Sequence, residues 1–447
     1  PACVIVIDKE DAQARKGMFM VDASKGFMKE GNKNRLRSQD IHKVVDVFTH
    51  YLELPRYSRM VPLAEIVSND YNLNIPRYID SSEPEDLHDL SAHLQGGIPN
   101  RDIDALDHFW QVFPSIRATL FTDDRAGYSK SLVASNEVKS TILNHSEFKA
   151  FATQSLQPFT AWSESAALKD IAIGDKPKQL IYDISEALLN RYADMPLLSK
   201  YDIYQILMDY WAEVMQDDVY VLTQAGWPGG KVLRELVARK GEKLRETPDL
   251  TINKIKYKAE LIPPALIVQR YFAVEQAQVD ALQAKLDNAT QELDSFIEEH
   301  SAEDGNLAEA LNDKDKITKA SVTARLKLAS DPEERAALKQ VQKLFEAETR
   351  QKKAVKDEQD ALDLAVFKHY SSLPEADIKA LIADDKWLAT LRDQIEAEIE
   401  RITQQLANRV QELEERYAEP VPAITQSVEL LSDKVARHLK AMGLEGA

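Results

Sequence analysis

From Leu388 to Tyr417 the apolar residues return every eleven positions: Leu388, Leu391 and Ile395 recur as Ile399, Ile402 and Leu406, then as Val410, Leu413 and Tyr417. A strand repeats every two residues, so this pattern demands long amphipathic helix. Eleven residues over three turns is about 3.67 per turn, a stripe that runs straight or winds gently right-handed. It serves either an intramolecular core or a docking face for the helices of a partner. An earlier stretch keeps a different period. Pro263-Pro264 opens a helix in which Phe272, Val279, Leu286 and Leu293 are spaced by seven, with Leu282, Ala289 and Phe296 as a second stripe and Glu275 as a departure from it. That seam winds left-handed. Two arms of opposite winding cannot stay paired over a long coiled coil, so a short bundle contact or a third helix between them is predicted. A turn is expected at His300–Asn306, and a further helix from Ser330, with Pro332 in its first turn and Glu333 closing a capping box, to about Tyr370. Ser372-Leu373-Pro374-Glu375 starts the helix that carries the eleven-residue stripe. Pro420 and Pro422 break it, and Ile424–Met442 forms a last helix capped by Gly443.

The first eighty residues read as the end of an α/β domain. Val4–Ile7 and Met18–Val21 form two short apolar runs, predicted to pair as a hairpin. The chain opens at Pro1 directly on the first of them, so residues upstream are expected. Ser38 is expected to cap a helix whose apolar residues Ile41, Val44, Val45 and Phe48 fall at spacings of three and four. Pro62–Val67 reads as one or two helical turns, and Leu73–Ile79, interrupted by Pro76, as an edge strand. Residues 81 to 260 read as mainly helical, with helix starts at Ser82 and Asp102, amphipathic helices at Leu180–Tyr192 and Tyr201–Met215, a short strand at Val219–Leu222 and a turn at Trp227-Pro228-Gly229-Gly230. Four of the five tryptophans fall here, which implies a separate core. The expected architecture is therefore an α/β remnant over residues 1–80, a mainly α-helical domain over 81–260, and a long helical, coiled-coil arm for subunit assembly over 261–447.

Composition narrows the functions. Cys3 is the only cysteine, which excludes an internal disulfide and a thiolate zinc site and suits a reducing cytoplasm. No apolar run reaches the length of a membrane span. The formal charge is −18, a poor balance for a chain that grips DNA over its whole surface. The charge is uneven, however. Lys25, Lys29, Lys33, Arg35 and Arg37 face a single acid, Glu30, whereas Val61–Asp124 carries three basic residues against twelve acids. Contact with DNA phosphates is thus confined to the first region or to a partner.

The sequence has no GxGxxG loop, no P-loop, no HExxH and no nucleophile elbow. His88 and His93 are five apart and do not share a helix face. Gly229-Gly230 follows a proline and reads as a turn. The many acidic pairs fall at helix starts and on charged faces. No catalytic, cofactor-binding or metal-binding residue is assigned, and a motor function is disfavoured by the missing P-loop.

Gly17-Met18-Phe19-Met20-Val21-Asp22-Ala23-Ser24, followed by Phe27 and Leu36-Arg37-Ser38-Gln39-Asp40-Ile41, resembles the last strands of type I modification subunits, the N6-adenine DNA methyltransferases of restriction-modification systems. The segment Asn69-Asp70-Tyr71-Asn72-Leu73-Asn74 before Arg77-Tyr78 resembles the end of that methyltransferase domain. Asp384-Asp385-Lys386-Trp387, Leu413–Tyr417 and His438–Gly443 look like the longer members of the family. The resemblance covers residues 1 to 80 and about 370 to 443. It implies a Rossmann-like domain edge, transfer of a methyl group from S-adenosylmethionine to adenine in the full protein, and assembly with a DNA-specificity subunit, a restriction subunit, a second modification subunit and double-stranded DNA. The family's methyl-donor loop and Asn-Pro-Pro-aromatic motif are absent: Pro263-Pro264 follows Ile262. The segment alone is accordingly expected to be inactive and to carry no bound cofactor.

Within that frame Lys29, Lys33, Arg35, Arg37, Asn69, Tyr71 and Asn72 are the candidate DNA contacts. A solvated loop and a polar Asx turn are the competing explanations. Trp387, Leu391, Ile395, Ile399, Ile402, Leu406, Val410, Leu413 and Tyr417 are the candidate partner-binding residues, with internal packing as the alternative. A different class of function, a non-enzymatic coiled-coil scaffold with no link to DNA, accounts for the helical arm but not for the N-terminal resemblance.

Overall fold

The structure, a computed structural model, describes residues 3–10, 12–82, 87–238, 244–302, 305–312 and 315–442. Helix dominates it. The described helices of ten residues or more are α1 (Ser38–His50), α2 (Ser146–Ser165), α3 (Pro177–Arg191), α4 (Lys200–Tyr210), α5 (Gln216–Ala225), α6 (Ala273–His300), α7 (Lys319–Leu328), α8 (Pro332–Ser372), α9 (Ala389–Tyr417) and α10 (Val421–Ala441). The sheets are small and antiparallel: β1 (Gly17–Val21) with β4 (Ser58–Pro62), the hairpin β2 (Met28–Glu30) with β3 (Lys33–Arg35), β5 (Ile98–Pro99) and β6 (Phe121–Arg125) flanking β7 (Tyr128–Ser131), and β8 (Leu233–Glu235) and β9 (Leu250–Ile252) flanking β10 (Ile255–Ala259). The chain forms two compact units, Pro1–Leu168 with Lys176–Gln216 and Ala389–Ala447, and Lys169–Asp175 with Asp217–Leu388. Neither ends at residue 80 or 260.

The eleven-residue stripe is the spine of the first unit. Leu391, Ile395, Ile399, Ile402, Leu406, Val410, Leu413 and Tyr417 are all buried on α9, which packs against Val138–Asn144, α2 and α4. Ser135 Oγ donates to Glu415 at 2.9 Å, and Tyr417 OH donates to Asp102 at 3.2 Å, pinning the C-terminal end of the helix. The helix expected from Asp102 to Phe113 is broken into Asn100–Asp104 and Asp107–Trp110. The break lets Leu106, Phe109 and Trp110 all turn inward, and Trp110 Nε1 donates to the Ile103 carbonyl at 2.7 Å. The helix start read at Ser82 rests on Pro84, outside the described residues. The helix there is Leu90–Gln95, capped by Asp89, whose carboxylate accepts from Ala92 N–H at 3.0 Å.

At the N-terminus three expectations are corrected. Val4–Ile7 is not a strand and lies exposed; β1 pairs instead with β4, Met20 and Val61 burying their side chains in a small core with Ile66, Tyr78 and Ile79. Leu73–Ile79 is not extended: Pro76 sits within a short 3₁₀ turn, Ile75–Arg77, that delivers Tyr78 and Ile79 to that core. The cap of α1 is Arg37, not Ser38. The α1 face expected to be core is the one turned outward, for Ile41, Val45 and Phe48 are exposed. α1 packs through Val47 and through polar residues. Gln39 donates to Asp202 at 3.1 Å, His42 Nε2 lies 2.6 Å from Glu186, and Asp46 accepts from Lys200 at 2.8 Å and Tyr201 OH at 2.6 Å.

The second unit is built on α6 and α8. Phe272, just before α6, stacks edge-on against His369 near the end of α8, whereas Leu293 near the end of α6 clusters with Leu338 and Val341 at the start of α8, so the helices run antiparallel. The seven-residue seam therefore meets α8, and the eleven-residue stripe belongs to the other unit; the two arms do not have to reconcile their windings. α8 is capped by Asp331, whose side chain accepts from Glu334 N–H at 3.1 Å, rather than by Ser330. Beyond the far end, Leu307, Ala310, Val322 and Ala329 close a small core around the turn and α7. At the near end Tyr370 OH donates to the Ile262 carbonyl at 2.6 Å. Val219–Leu222 is not a strand but part of α5, with Val219 and Leu222 buried at a helical spacing of three. The Trp227–Lys231 turn is a 3₁₀ helix, and Gly230 lies so close to Ile378 that an added Cβ would stand 2.7 Å from its Cγ2.

Candidate DNA and partner interfaces

The candidate DNA-contact residues divide among three kinds of local structure: a hairpin, a helix start and a turn. β2 and β3 form a hairpin in which Met28, Lys29 and Glu30 face Arg35, Asn34 and Lys33, closed by Gly31-Asn32 with Gly31 at φ 60°. Glycine in the first turn position is what a two-residue hairpin of the II′ kind requires. The alternation of the pleat places Lys33 and Arg35 on one face with Glu30 and puts Lys29 on the other. Arg35 pairs with Glu30 at 3.2 Å in full solvent, an ion pair worth little. All three basic side chains are exposed. The hairpin thus offers two faces of positive charge on a protruding ribbon, the geometry that phosphate contact needs and that a solvated loop also has.

Arg37 stands apart from them. Its Nε and Nη2 donate to the two Asp40 oxygens at 2.9 and 3.0 Å, while Asp40 accepts from the Arg37 backbone N–H. Burial alone would lift the Asp40 carboxyl, but the Arg37 hydrogen bonds outweigh it and hold the group below the usual carboxylate range. Arg37 is engaged in starting α1.

Asn69, Tyr71 and Asn72 lie in the turn after the helix Leu63–Ser68. Asn69 Nδ2 donates back to the Glu65 carbonyl at 3.0 Å, and Asn72 Oδ1 accepts from Asn74 N–H at 3.0 Å, an Asx turn. Tyr78 OH donates to the Asn72 carbonyl. Asp70 and Tyr71 both take left-handed backbone, at φ 55° and 57°, and the Tyr71 ring is 67% exposed. Two successive left-handed residues reverse the chain so that Tyr78 can close the core, and the same reversal pushes Tyr71 outward.

The candidate partner-binding residues already have partners. The α9 stripe from Leu391 to Tyr417 is buried in the first unit. Trp387 is buried in the second, within a π-helical segment, Ala380–Leu388, and its indole N–H donates to Asp218 at 2.8 Å. Lys386 Nζ lies 2.6 Å from the same oxygen. The wide π turn brings neighbouring residues 386 and 387 onto one acceptor. The long surface open to a partner is one helix later: α10 buries none of its residues. Its apolar repeat is legible in the sequence, but it is shorter than the α9 stripe, and length is what makes a stripe stand out. His88 and His93, apart by sequence spacing, stack with Nδ1 and Nε2 3.2 Å apart, because His88 precedes the helix that carries His93. Among the described residues no group of three or more His, Cys, Asp or Glu could hold a metal ion, and no helix is long and apolar enough to cross a membrane.

Residues 1–87 match the family model described as N-6 DNA Methylase. Over 99 residues the chain is 35% identical to the type I restriction enzyme MjaVII methylase subunit of Methanocaldococcus jannaschii, covering 21% of this chain and 17% of that protein. It is 30% identical over 87 residues to the type I restriction enzyme MpnII methylase subunit of Mycoplasma pneumoniae, covering 19% of this chain and 16% of that one. The chain thus spans, where it matches, about a sixth of the length of these relatives. No solved structure matches it. The resemblance read from residues 1 to 80 is borne out over that stretch. The family model ends at residue 87, so the resemblance read at residues 370 to 443 lies outside it.

Proposed function

We propose that this chain is the C-terminal part of the modification subunit of a type I restriction-modification system, and that it holds DNA and partner subunits while methyl transfer is carried out by other parts of the protein. The observation that carries the reading is the methylase match over residues 1–87. The matched stretch holds β1, β4, the basic hairpin and α1, which this reading takes as the edge of a Rossmann-like domain. α1 then ties that edge to α3 and α4 through Gln39, His42 and Asp46.

S-adenosylmethionine is the methyl donor of this reading, and the residues present do not fit it. Gly17 is pressed against the Val61 carbonyl, and a Cβ on Gly26 would lie 3.1 Å from Asp40 Oδ1, so neither glycine leaves a cradle for a nucleotide. The purified chain is therefore expected to transfer no methyl group to DNA, and no catalytic step is assigned to its residues.

Lys29, Lys33 and Arg35 on the hairpin, with Tyr71 and its flanking Asn69 and Asn72, are the surface proposed to meet the DNA backbone. The specificity subunit, the restriction subunit and a second modification subunit are the proposed partners, docking on the C-terminal helices. The test is co-purification with a specificity subunit, with and without residues 421–447, the segment that carries α10 and leaves the buried α9 in place. Capture by the full chain and loss on truncation support the reading, provided residues 1–420 stay folded by circular dichroism; capture unchanged by the truncation overturns the docking site.

A further inference from the structure

Between Lys339 and Lys356, α8 carries six basic residues, Lys339, Lys343, Arg350, Lys352, Lys353 and Lys356, against two acids, Glu346 and Glu348. In a chain of net charge −18 this is a local reversal of sign. The acids that follow, Asp357, Glu358, Asp360 and Asp363, cancel it in any longer stretch of sequence. All six basic side chains are exposed, and none closes an ion pair among the described residues. The cations of α9 behave otherwise. Arg401 pairs with Glu398, and Arg409 and Arg416 pair with Glu412, each within about one turn. Glu346 stands four residues before Arg350, a spacing that favours pairing, yet it accepts from Gln342 Nε2 at 3.4 Å instead.

The helix sorts these residues by direction. At about 3.6 residues per turn, Lys339, Lys343, Arg350 and Lys353 fall on the side of α8 opposite Leu338, Val341 and Leu344, which pack in the core shared with Leu293 of α6. They form a ridge about 21 Å long at about 1.5 Å per residue, with Glu346 as the one acid along it. Duplex DNA presents a phosphate on each strand for every 3.4 Å or so of its axis, so a ridge of that length spans about six phosphates of one strand. Cations already free of ion pairs, and held at fixed separations by a helix, release counterions from DNA without first breaking contacts of their own. We infer that the ridge of Lys339, Lys343, Arg350 and Lys353 binds the phosphate backbone of duplex DNA without regard to sequence.

The ridge adds a contact on the second unit to the hairpin on the first, and it rests on the same reading of a chain that works on DNA. The test is the affinity of the purified full chain for a short mixed-sequence duplex, followed by fluorescence anisotropy across a salt series that starts low, where phosphate contacts are strongest. Lys343→Gln, Arg350→Gln and Lys353→Gln together should weaken binding and flatten the salt dependence by about two to three units of slope. A control with the same change in net charge, Lys139→Gln, Lys149→Gln and Lys176→Gln, alters three exposed lysines of the first unit and should move the slope by less than about one unit. All six sites are exposed, so both variants should melt like the parent by circular dichroism. No binding by the full chain, a ridge variant with the parent's slope, or a control that falls as far as the ridge variant would each overturn the inference. A ridge variant that keeps its duplex binding but no longer binds polyglutamate assigns the ridge to an acidic protein, and overturns it as well. Where the ridge variant is without effect and Lys29→Ala, Lys33→Ala and Arg35→Ala together lower the slope, the ridge falls and the DNA reading stands.

Discussion

Trp387 donates its indole N–H to Asp218 at 2.8 Å across 169 residues of sequence, and Lys386 shares the same carboxylate oxygen. Burial raises the Asp218 carboxyl above its usual 3.8, against the pull of both donors. Removing the acceptor takes the counter-charge from the Lys386 ammonium and the hydrogen bond from the Trp387 indole inside the second unit. Asp218→Ala is expected to cost about 3–5 kcal/mol in denaturant unfolding, whereas Asp218→Leu with Lys386→Met should cost clearly less than the two single changes added. Strict additivity of the two would show that the pair is not coupled.

The hairpin and the helix start make separable predictions. Lys29→Ala, Lys33→Ala and Arg35→Ala together should weaken DNA binding by the assembled complex and flatten its salt dependence, by about one unit of slope for each phosphate that is no longer neutralised. Arg37→Ala should instead act on the fold, lowering stability by about 1 kcal/mol by removing the side-chain pair with Asp40 at the start of α1. A salt slope that the triple variant leaves unchanged removes the hairpin from the DNA interface.

Asp46 sets an acid limit on the docking of α1. Burial would raise its carboxyl, but the hydrogen bonds from Lys200 and Tyr201 outweigh that and depress it below 3.8. A depressed carboxylate stabilises the fold above its unfolded value and loses that contribution as pH falls through the folded value. Asp46→Asn should therefore lower the melting temperature at neutral pH, and the gap from the parent should close as pH drops below about 4, near the unfolded carboxylate value. A gap of constant size across that range would mean that Asp46 acts by shape alone.

Ile402 and Leu406 lie in the centre of the buried α9 stripe. Ile402→Ala or Leu406→Ala should each destabilise the first unit by about 2–5 kcal/mol, measured on the chain without partners. Variants that unfold like the parent but fail to assemble would return the stripe to the role of a docking face.

The periodic parts of this chain are the legible ones. An eleven-residue repeat long enough to span α9 has one helical solution, and a seven-residue repeat in α6 has another. What periodicity does not encode is which helix each stripe meets. α9 and α6 read as two arms of one structure, yet one is the spine of the first unit and the other pairs with α8. Short apolar runs mislead for a related reason. Val219–Leu222 has the composition of a strand, but its neighbours continue as helix on either side. Val4–Ile7 has the same composition and no strand beside it among the described residues. The candidate DNA residues stand out as a charge cluster, and charge alone does not separate Arg37, bound to Asp40, from Lys29 and Lys33 on the ribbon. The polar docking of α1 is invisible in the sequence because an amphipathic helix is read by its apolar side, and here Ile41, Val45 and Phe48 of that side face outward.

Because α6 leads away and α8 comes back beside it, the chain returns to within a few residues' reach of where it set out. Whatever sits at the outer end, where Leu307, Val322 and Ala329 cluster with Leu293, Leu338 and Val341 of the two helices, places no geometric demand on the base around Ile262 and Tyr370. The pair is free to be lengthened or shortened by whole heptads, and its tip exchanged, with the base held as it is. In such a design reach becomes an adjustable property, set by the number of helical turns rather than by refolding the protein.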